Sequence, residues 1–458
     1  LSTLYAEKPD HVLVLGSGFC GIISELLKLP VERIDYVEVN RNLIETLEKD
    51  VPGRLCIPLK DRRVNIIYDD PRKYLSEERT YDVIIAAMPE PNTAQSNRFY
   101  TAEFFKECSR HMTDKSIIVF KIRSPENLWT QQLSQRNRSI YNALLSTFKN
   151  VIVLPGQSNI FIASLSSLST DPEILALRFI NRNPSTKLVS PEYIREIYTN
   201  SKFSEVKHEL LSGRAEANSD MNPSCYSYTI SIWLSKFFSG SGSPDEYLSR
   251  VRLLFSSWIF RLIFILITLG LFFIKRLSSL RRFMLVLFAG FSGMAAEAIL
   301  ILNYQSKSGF LYRDIGILLM MFMSGLSLGA YLVNRLLTSY SFSKRSRTVA
   351  GIVFIICFTL LNIALWFLIR LGLIESLEIT STALIIEGIF TASIFAYATI
   401  KGDTGKQQES MVRLYSADLI GGSLGSIAAS LLLIPAAGLA GASLIIAIIT
   451  LYTLIFIR

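Results

Sequence analysis

The chain has 458 residues, 50% of them hydrophobic and 19% charged, with a formal net charge of +9 and a mean hydropathy of +0.36. That balance is too apolar for one soluble domain and too charged for a chain embedded throughout in a membrane. Residues 1–250 carry 30 Lys and Arg against 30 Asp and Glu, so the whole basic excess falls in residues 251–458. A nucleic-acid-binding domain needs that excess on a soluble surface, so no nucleic-acid partner is expected.

In chain order, the apolar run His11–Leu15 predicts a buried strand, followed by the turn Gly16–Gly21 and a helix through Leu29. Ile34–Val39 predicts a second strand with Glu38 at its end. Val64–Tyr68 predicts a third, leading into Asp69 and Asp70, and Tyr81–Ala87 a fourth, leading into Met88–Pro91. A helix over Ala102–Met112 precedes a fifth strand, Ser116–Ile122. Val151–Leu154 and Ile160–Ser164 flank Pro155–Asn159, a hairpin signal. Strands joined by helices imply a parallel sheet that takes ligands at the carboxyl ends of its strands.

The glycine spacing has a mechanism. Gly16 permits the tight turn, Gly18 lets a ligand approach the backbone, and Gly21 lets the helix pack on the strand. Glu38 follows Gly18 by 20 residues, where a carboxylate can accept both hydroxyls of a ribose. NAD and S-adenosyl ligands both use this arrangement. Asp70 at the next strand end could bond an adenine amino group, and the terminal hairpin favours the methyltransferase-type variant of an α/β Rossmann-like fold. The opposing reading is that these acids cap helices or face solvent. Cys20, Cys56, Cys108 and Cys225 show no paired spacing, and His11, His111 and His208 are scattered, so no metal site is expected. Free buried thiols are the reading, although export would permit one disulfide.

Beyond residue 165, Ser190–Ile197 predicts a helix and Ser239–Pro244 a flexible linker. Seven apolar stretches follow: 255–274, 283–302, 315–333, 349–369, 379–400, 414–436 and 438–457. Each is long enough to cross the ~30 Å hydrocarbon layer. The expected organisation is a Rossmann-like domain over 1–165, a helical extension and linker over 166–250, and an all-α transmembrane bundle over 251–458. The basic loops 275–282, 334–348 and 401–413 belong on the cytoplasmic side, which by parity puts the soluble domain outside the cytoplasm if 255–274 spans. Glu297, Glu387 and Asp418 fall inside apolar runs, where a carboxylate costs ~2.5–3.5 kcal/mol. They read either as structural pairs, with Arg261 a candidate partner, or as handling a proton or cation on a transporter-like path. Gly325–Gly329 and Gly421–Gly425 carry the small-residue spacing of close helix contacts. The chain starts with Leu rather than Met, which reads as a piece of a longer protein.

Gly16–Gly21, Tyr36–Val39, Asp70–Arg72, Tyr81–Ile85, Pro89–Pro91 and Asn97–Thr101 together resemble the spermidine synthase (polyamine aminopropyltransferase) family. With Asn218–Pro223, Gly290–Met294 and Leu414–Leu419, the resemblance narrows to a bacterial branch fused to a transporter-like membrane bundle. It implies aminopropyl transfer from decarboxylated S-adenosylmethionine, or a related adenosyl ligand, to a small-molecule amine. It also implies a bacterial inner-membrane location and further membrane helices before Leu1, or a partner membrane protein. By the resemblance Glu38 holds the ribose, Asp70 the adenine, and Glu90 is the second acid of the catalytic loop. The first acid, the expected base, falls on Ala87, and the acid that would bind the aminopropyl ammonium falls on Phe19. The alternatives are a catalytically silent nucleoside- or polyamine-binding domain that regulates or feeds the bundle, and methyl transfer to a hydrophobic acceptor.

Overall fold

The computed structural model describes residues 1–50, 57–76, 79–124, 130–186, 188–235, 278–308, 312–339, 344–400 and 407–457. The chain divides into two compact units, Leu1–Ser239 and Gly240–Arg458.

In the first unit the strands are β1 (His11–Leu15), β2 (Arg33–Val37), β3 (Val64–Ile67), β4 (Tyr81–Ala86), β5 (Met112–Arg123), β6 (Asn150–Leu154) and β7 (Ser158–Ser164). They form one sheet in the order β3-β2-β1-β4-β5-β7-β6, parallel from β3 to β5, with β7 antiparallel between β5 and β6. This is the Rossmann-like, methyltransferase-type order expected from the strand–helix alternation and the closing hairpin. The strands are apolar at successive positions because both faces are covered. Leu13 and Leu15 enter one core with Phe105, Phe120 and Phe161, while Val12 and Val14 enter the opposite core with Ile34 and Tyr36. On the first face those three rings stack at 5.6 and 5.1 Å between centroids.

Several boundaries differ from the periodicity, two of them at helix ends. The helix after the glycine turn, α1 (Ile22–Leu26), ends before Leu29, because Pro30 disfavours helical backbone in the residue before it. Next come α2 (Arg41–Asp50), α3 (Pro71–Tyr74), α4 (Ala94–Asn97) and α5 (Ala102–Ser109). The last stops short of Met112, which opens β5 by pairing with Tyr81.

Asp35 on β2 illustrates how this sheet holds a buried carboxylate. It is 1% exposed and accepts hydrogen bonds from Arg33 Nε, Asn65 Nδ2 and the Tyr81 hydroxyl, each at 2.9 Å. Burial pushes its carboxyl up, but those donors outweigh burial and hold it below the ordinary value. A depressed folded-state value stabilises above the unfolded value, near 4, and that stabilisation is lost as pH falls through the folded value. Replacing Asp35 by Asn is therefore expected to lower stability at neutral pH, with the gap to the parent closing below about pH 4. Denaturant titrations at several pH values check this, and a pH-independent gap contradicts it.

After β5 come α6 (Gln131–Leu145), α7 (Pro172–Arg182), α8 (Pro191–Thr199), α9 (Ser201–Leu211) and α10 (Ser224–Ser235). The segment entering α10 is tied to the sheet's helices by Asn218, whose Nδ2 donates to the Tyr100 carbonyl (2.8 Å) and whose N–H donates to the Ser139 carbonyl (3.1 Å). Cys108 and Cys225 are buried and free. Burial pushes the Cys225 thiol up to about 12, so it stays a protonated, unreactive packing group. Cys56 and the linker at 239–244 lie outside the described residues.

The second unit comprises α11 (Ser278–Ser308), α12 (Tyr312–Ser339), α13 (Lys344–Leu371), α14 (Leu377–Ile400), α15 (Gln407–Ala428) and α16 (Ile434–Tyr452). Among the described residues five stretches are long and apolar enough to cross a membrane, and they contain six of the seven expected spans. The stretch 255–274, on which the sidedness argument rests, and Arg261 lie outside the described residues. The last two expected spans form one apolar stretch, Met411–Phe456, joined through the π-helical turn Ala429–Leu433. At ~1.5 Å per residue its 46 residues would extend about 69 Å, twice a hydrocarbon core. The non-helical backbone at Gly438 (φ 70°, ψ 177°) breaks it.

The glycine pairs act as their spacing implies. Gly325 and Gly329 lie against the backbone of Ile385 and Ile389, and Gly421 and Gly425 against that of Leu287 and Phe291, with no room for a Cβ at any of the four. Contacts that rise together in number make α12/α14 and α11/α15 parallel pairs.

Candidate functional site

Three strand ends meet on one edge of the sheet. Gly16 N–H donates to the Val37 carbonyl, Glu38 N–H to the Ile67 carbonyl and Ala87 N–H to the Leu15 carbonyl, each at 2.9 Å. Gly16, Glu38 and Ala87 thus form one row just past β2, β1 and β4. The strand order reverses between β1 and β4, where an open α/β sheet leaves its ligand crevice.

The glycine turn is built differently from the spacing argument at two of its three positions. Gly16 has φ 69°, as a tight turn requires, and a Cβ there would meet Met88 Sδ at 2.7 Å. At Gly18 the close neighbour is internal: a Cβ would meet Tyr36 Cε2 at 2.8 Å, so the missing side chain admits the Tyr36 ring. Gly21 is selected by its φ of 100° at the start of α1, not by crowding, since the nearest atom to a Cβ there is Ser24 Oγ at 3.9 Å.

Glu38 is held in position from below. The Tyr36 hydroxyl donates to its Oε2 at 2.7 Å and the Asn40 N–H donates to its Oε1 at 3.1 Å. Burial and the neighbouring carboxylate push the Tyr36 phenol well above its ordinary value, so it remains a donor. An ionised carboxylate offers about four acceptor positions, and these two bonds leave capacity on each oxygen. Sequence reasoning missed Tyr36, although the two-residue period of a strand places it on the same side as Glu38.

Asp70 has a structural role in addition to the one expected of it. It caps α3, its Oδ1 accepting from Arg72 N–H at 3.0 Å, while Oδ2 forms an ion pair with the Arg98 guanidinium. It is 1% exposed, so these two contacts hold a buried carboxylate in place. The physical reason is the sequence Asp-Pro, a strong helix start, combined with a cation supplied 28 residues later.

Glu90 accepts the Arg123 N–H at 2.7 Å and lies 3.8 Å from Arg136 Nη1, with 29% of its side chain exposed. Burial pulls the Arg136 guanidinium below its usual value, and the Glu90 carboxylate opposes that shift. Arg136 Nη2 also donates to the Arg123 carbonyl at 2.8 Å. The corner beyond β4 and β5 therefore sets Glu90 beside a buried cation. Ala87 brings no carboxylate, and Phe19 packs into the core with Val12 and Tyr36.

Residues 1–165 match the family described as the spermine/spermidine synthase domain. The chain is 32% identical over 147 residues to the polyamine aminopropyltransferase of Korarchaeum cryptofilum, covering 32% of this chain and 44% of the relative. It is 35% identical over 119 residues to that of Methanocaldococcus jannaschii, covering 26% and 40%. It is 27% identical over 201 residues to that of Thermoanaerobacter pseudethanolicus, covering 43% and 71%. The chain thus spans less than half the length of the first two of these relatives. Among solved structures, a spermidine synthase from Thermotoga maritima is 20% identical with a TM-score of 0.37, covering 46% of this chain and 70% of that one. Human methyltransferase-like protein 13 in complex with SAH is 18% identical with a TM-score of 0.29, covering 46% and 87%. Residues 1–165 of this chain are thus similar to a spermine/spermidine synthase domain.

Proposed function

We propose that the first unit binds an adenosyl ligand of the decarboxylated S-adenosylmethionine class through Glu38, and lacks the acid–base half needed for efficient aminopropyl transfer. The observation that carries this is a buried carboxylate oriented by Tyr36 and Asn40, with acceptor capacity left over, in the row where β1 and β4 diverge. Aminopropyl transfer is an in-line displacement by a neutral amine at the carbon beside a sulfonium. It needs a carboxylate to take the proton and others to hold the ammonium groups. Ala87 and Phe19 supply neither, and loss of one general base costs ~10²–10⁴ in rate. The apolar helices of the second unit support reading this as a membrane-bound domain. A transporter-like bundle, regulated or fed by the bound ligand on a bacterial inner membrane, is the corresponding reading of the whole chain.

A second reading keeps the transferase, with Glu90 as base. It is favoured by the exposure that Glu90 retains past β4.

Calorimetry on the full chain in detergent, with methylthioadenosine, decarboxylated S-adenosylmethionine and spermidine, tests both. Binding of the first two without product is expected. Glu38→Gln is expected to weaken that binding by roughly 10- to 150-fold, the equivalent of ~1.5–3 kcal/mol for hydrogen bonds to a charged group. Product formation at family-like rates moves the conclusion to the second reading. Absence of binding removes both.

A further inference from the structure

Tyr36 is 0% exposed and lies between the glycine turn and Glu38. Its ring occupies the space that Gly18 leaves, with Cε2 and Cδ2 at 2.8 and 2.9 Å from where a Cβ would stand. Its hydroxyl donates to Glu38 Oε2 at 2.7 Å. A phenol has one hydrogen to give and two lone pairs to fill. The hydrogen goes to Glu38, and the N–H groups of Gly18 and Phe19 act on the oxygen from the side of the turn. The hydroxyl is therefore fully used, and the donors of the turn are engaged inside the protein.

The backbone explains why those donors converge. Ser17 is left-handed (φ 44°, ψ 21°), and the short 3₁₀ helix Gly18–Cys20 follows it. A left-handed residue followed by right-handed ones turns successive N–H groups into one concavity that suits an anion. In dinucleotide-binding sheets a pyrophosphate fills that concavity and rests on the N-terminus of the helix behind it. Here a neutral hydroxyl fills it. The helix behind, α1, has only five residues, so few aligned peptide dipoles back the turn. A phosphate brought to this turn would give up its water without gaining these donors.

We infer that Tyr36 decides which adenosine derivative the first unit takes: its hydroxyl holds the turn donors that a phosphate would need, so the site accepts a thioether or sulfonium at the 5′ carbon and discriminates against nucleoside phosphates. The inference rests on the reading that an adenosyl ligand binds through Glu38.

Calorimetry on the full chain in detergent with methylthioadenosine and with ADP, which share adenosine and differ at the 5′ carbon, tests this. The parent should prefer methylthioadenosine by roughly 10-fold or more, the scale of one lost charge-assisted hydrogen bond. Tyr36→Phe keeps the ring beside Gly18 and the charge of Glu38, and frees the two N–H groups. Its preference should shift toward ADP by roughly 10-fold or more. A loss of packing, which weakens both ligands alike, does not move that ratio. A parent that binds ADP as tightly as methylthioadenosine overturns the inference without any variant. An unchanged ratio in Tyr36→Phe overturns it too, and in both cases the adenosyl reading stands. Binding of neither compound to the parent removes that reading and the inference together.

Discussion

Replacing Arg72 by Ala is expected to destabilise the first unit by ~3–5 kcal/mol, the cost of leaving a buried charge without its partner. The Arg72 side chain is 4% exposed. Its Nε donates to Glu107 at 2.9 Å, and its Nη1 donates to both oxygens of Asp220, at 3.0 and 2.9 Å. Burial by itself would lower this guanidinium, but Asp220 and Glu107 hold it above the usual value. Asp220 is otherwise secured by the Thr101 hydroxyl (2.8 Å), and its own N–H donates to Glu103 (3.0 Å). The arginine therefore joins α3, α5 and the segment before α10. Adding Asp220→Asn to Arg72→Ala should recover most of the loss, because no buried carboxylate is then stranded. Proteolysis within residues 1–235 of the full chain, across a denaturant series, measures both. An unchanged midpoint for the single variant means that Arg72 does not clamp these elements.

The second large effect is expected at Arg98. It is 2% exposed, pairs with Asp70 and lies 4.4 Å from the Phe99 ring centroid. Arg98→Ala should also cost ~3–5 kcal/mol by stranding Asp70. Asp70→Asn keeps a good helix cap but weakens the pair, so its loss should be smaller than that of Asp70→Ala, which removes the cap as well. A double-mutant cycle between the two positions measures their coupling, and additive losses contradict a direct pair. The cycle also bears on ligand binding. If Asp70 serves the fold alone, Asp70→Asn leaves adenosyl affinity unchanged, whereas Glu38→Gln reduces it.

Much of the candidate site was legible before any coordinates. A strand, a left-handed turn at Gly16 and an acid ending the next strand are features of short segments, and their spacing implies their juxtaposition on one sheet edge. Tyr36 was within reach of the same reasoning. At Asp70 two roles use the same residue type at the same place. Asp before Pro starts a helix as readily as it meets an adenine, and the deciding partner, Arg98, carries no local signature. Glu90 lies in the loop past β4 as its sequence position implies, but nothing in its neighbourhood in the chain announced Arg136.

The sequence alone determined the sheet with its crossovers and the location of the apolar spans. Each follows from periodicities of two or 3.6 residues, or from a motif a few residues long. The tertiary structure alone decided which buried charges are paired. Arg72 finds Asp220 148 residues away, and Arg98 finds Asp70 28 residues back along the chain. It also placed a non-helical break at Gly438, between the last two spans, and showed that Gly18 makes room for a tyrosine. Burial in a dense interior makes the identity of each neighbour decisive, and neighbours contributed by distant segments leave no trace in local pattern.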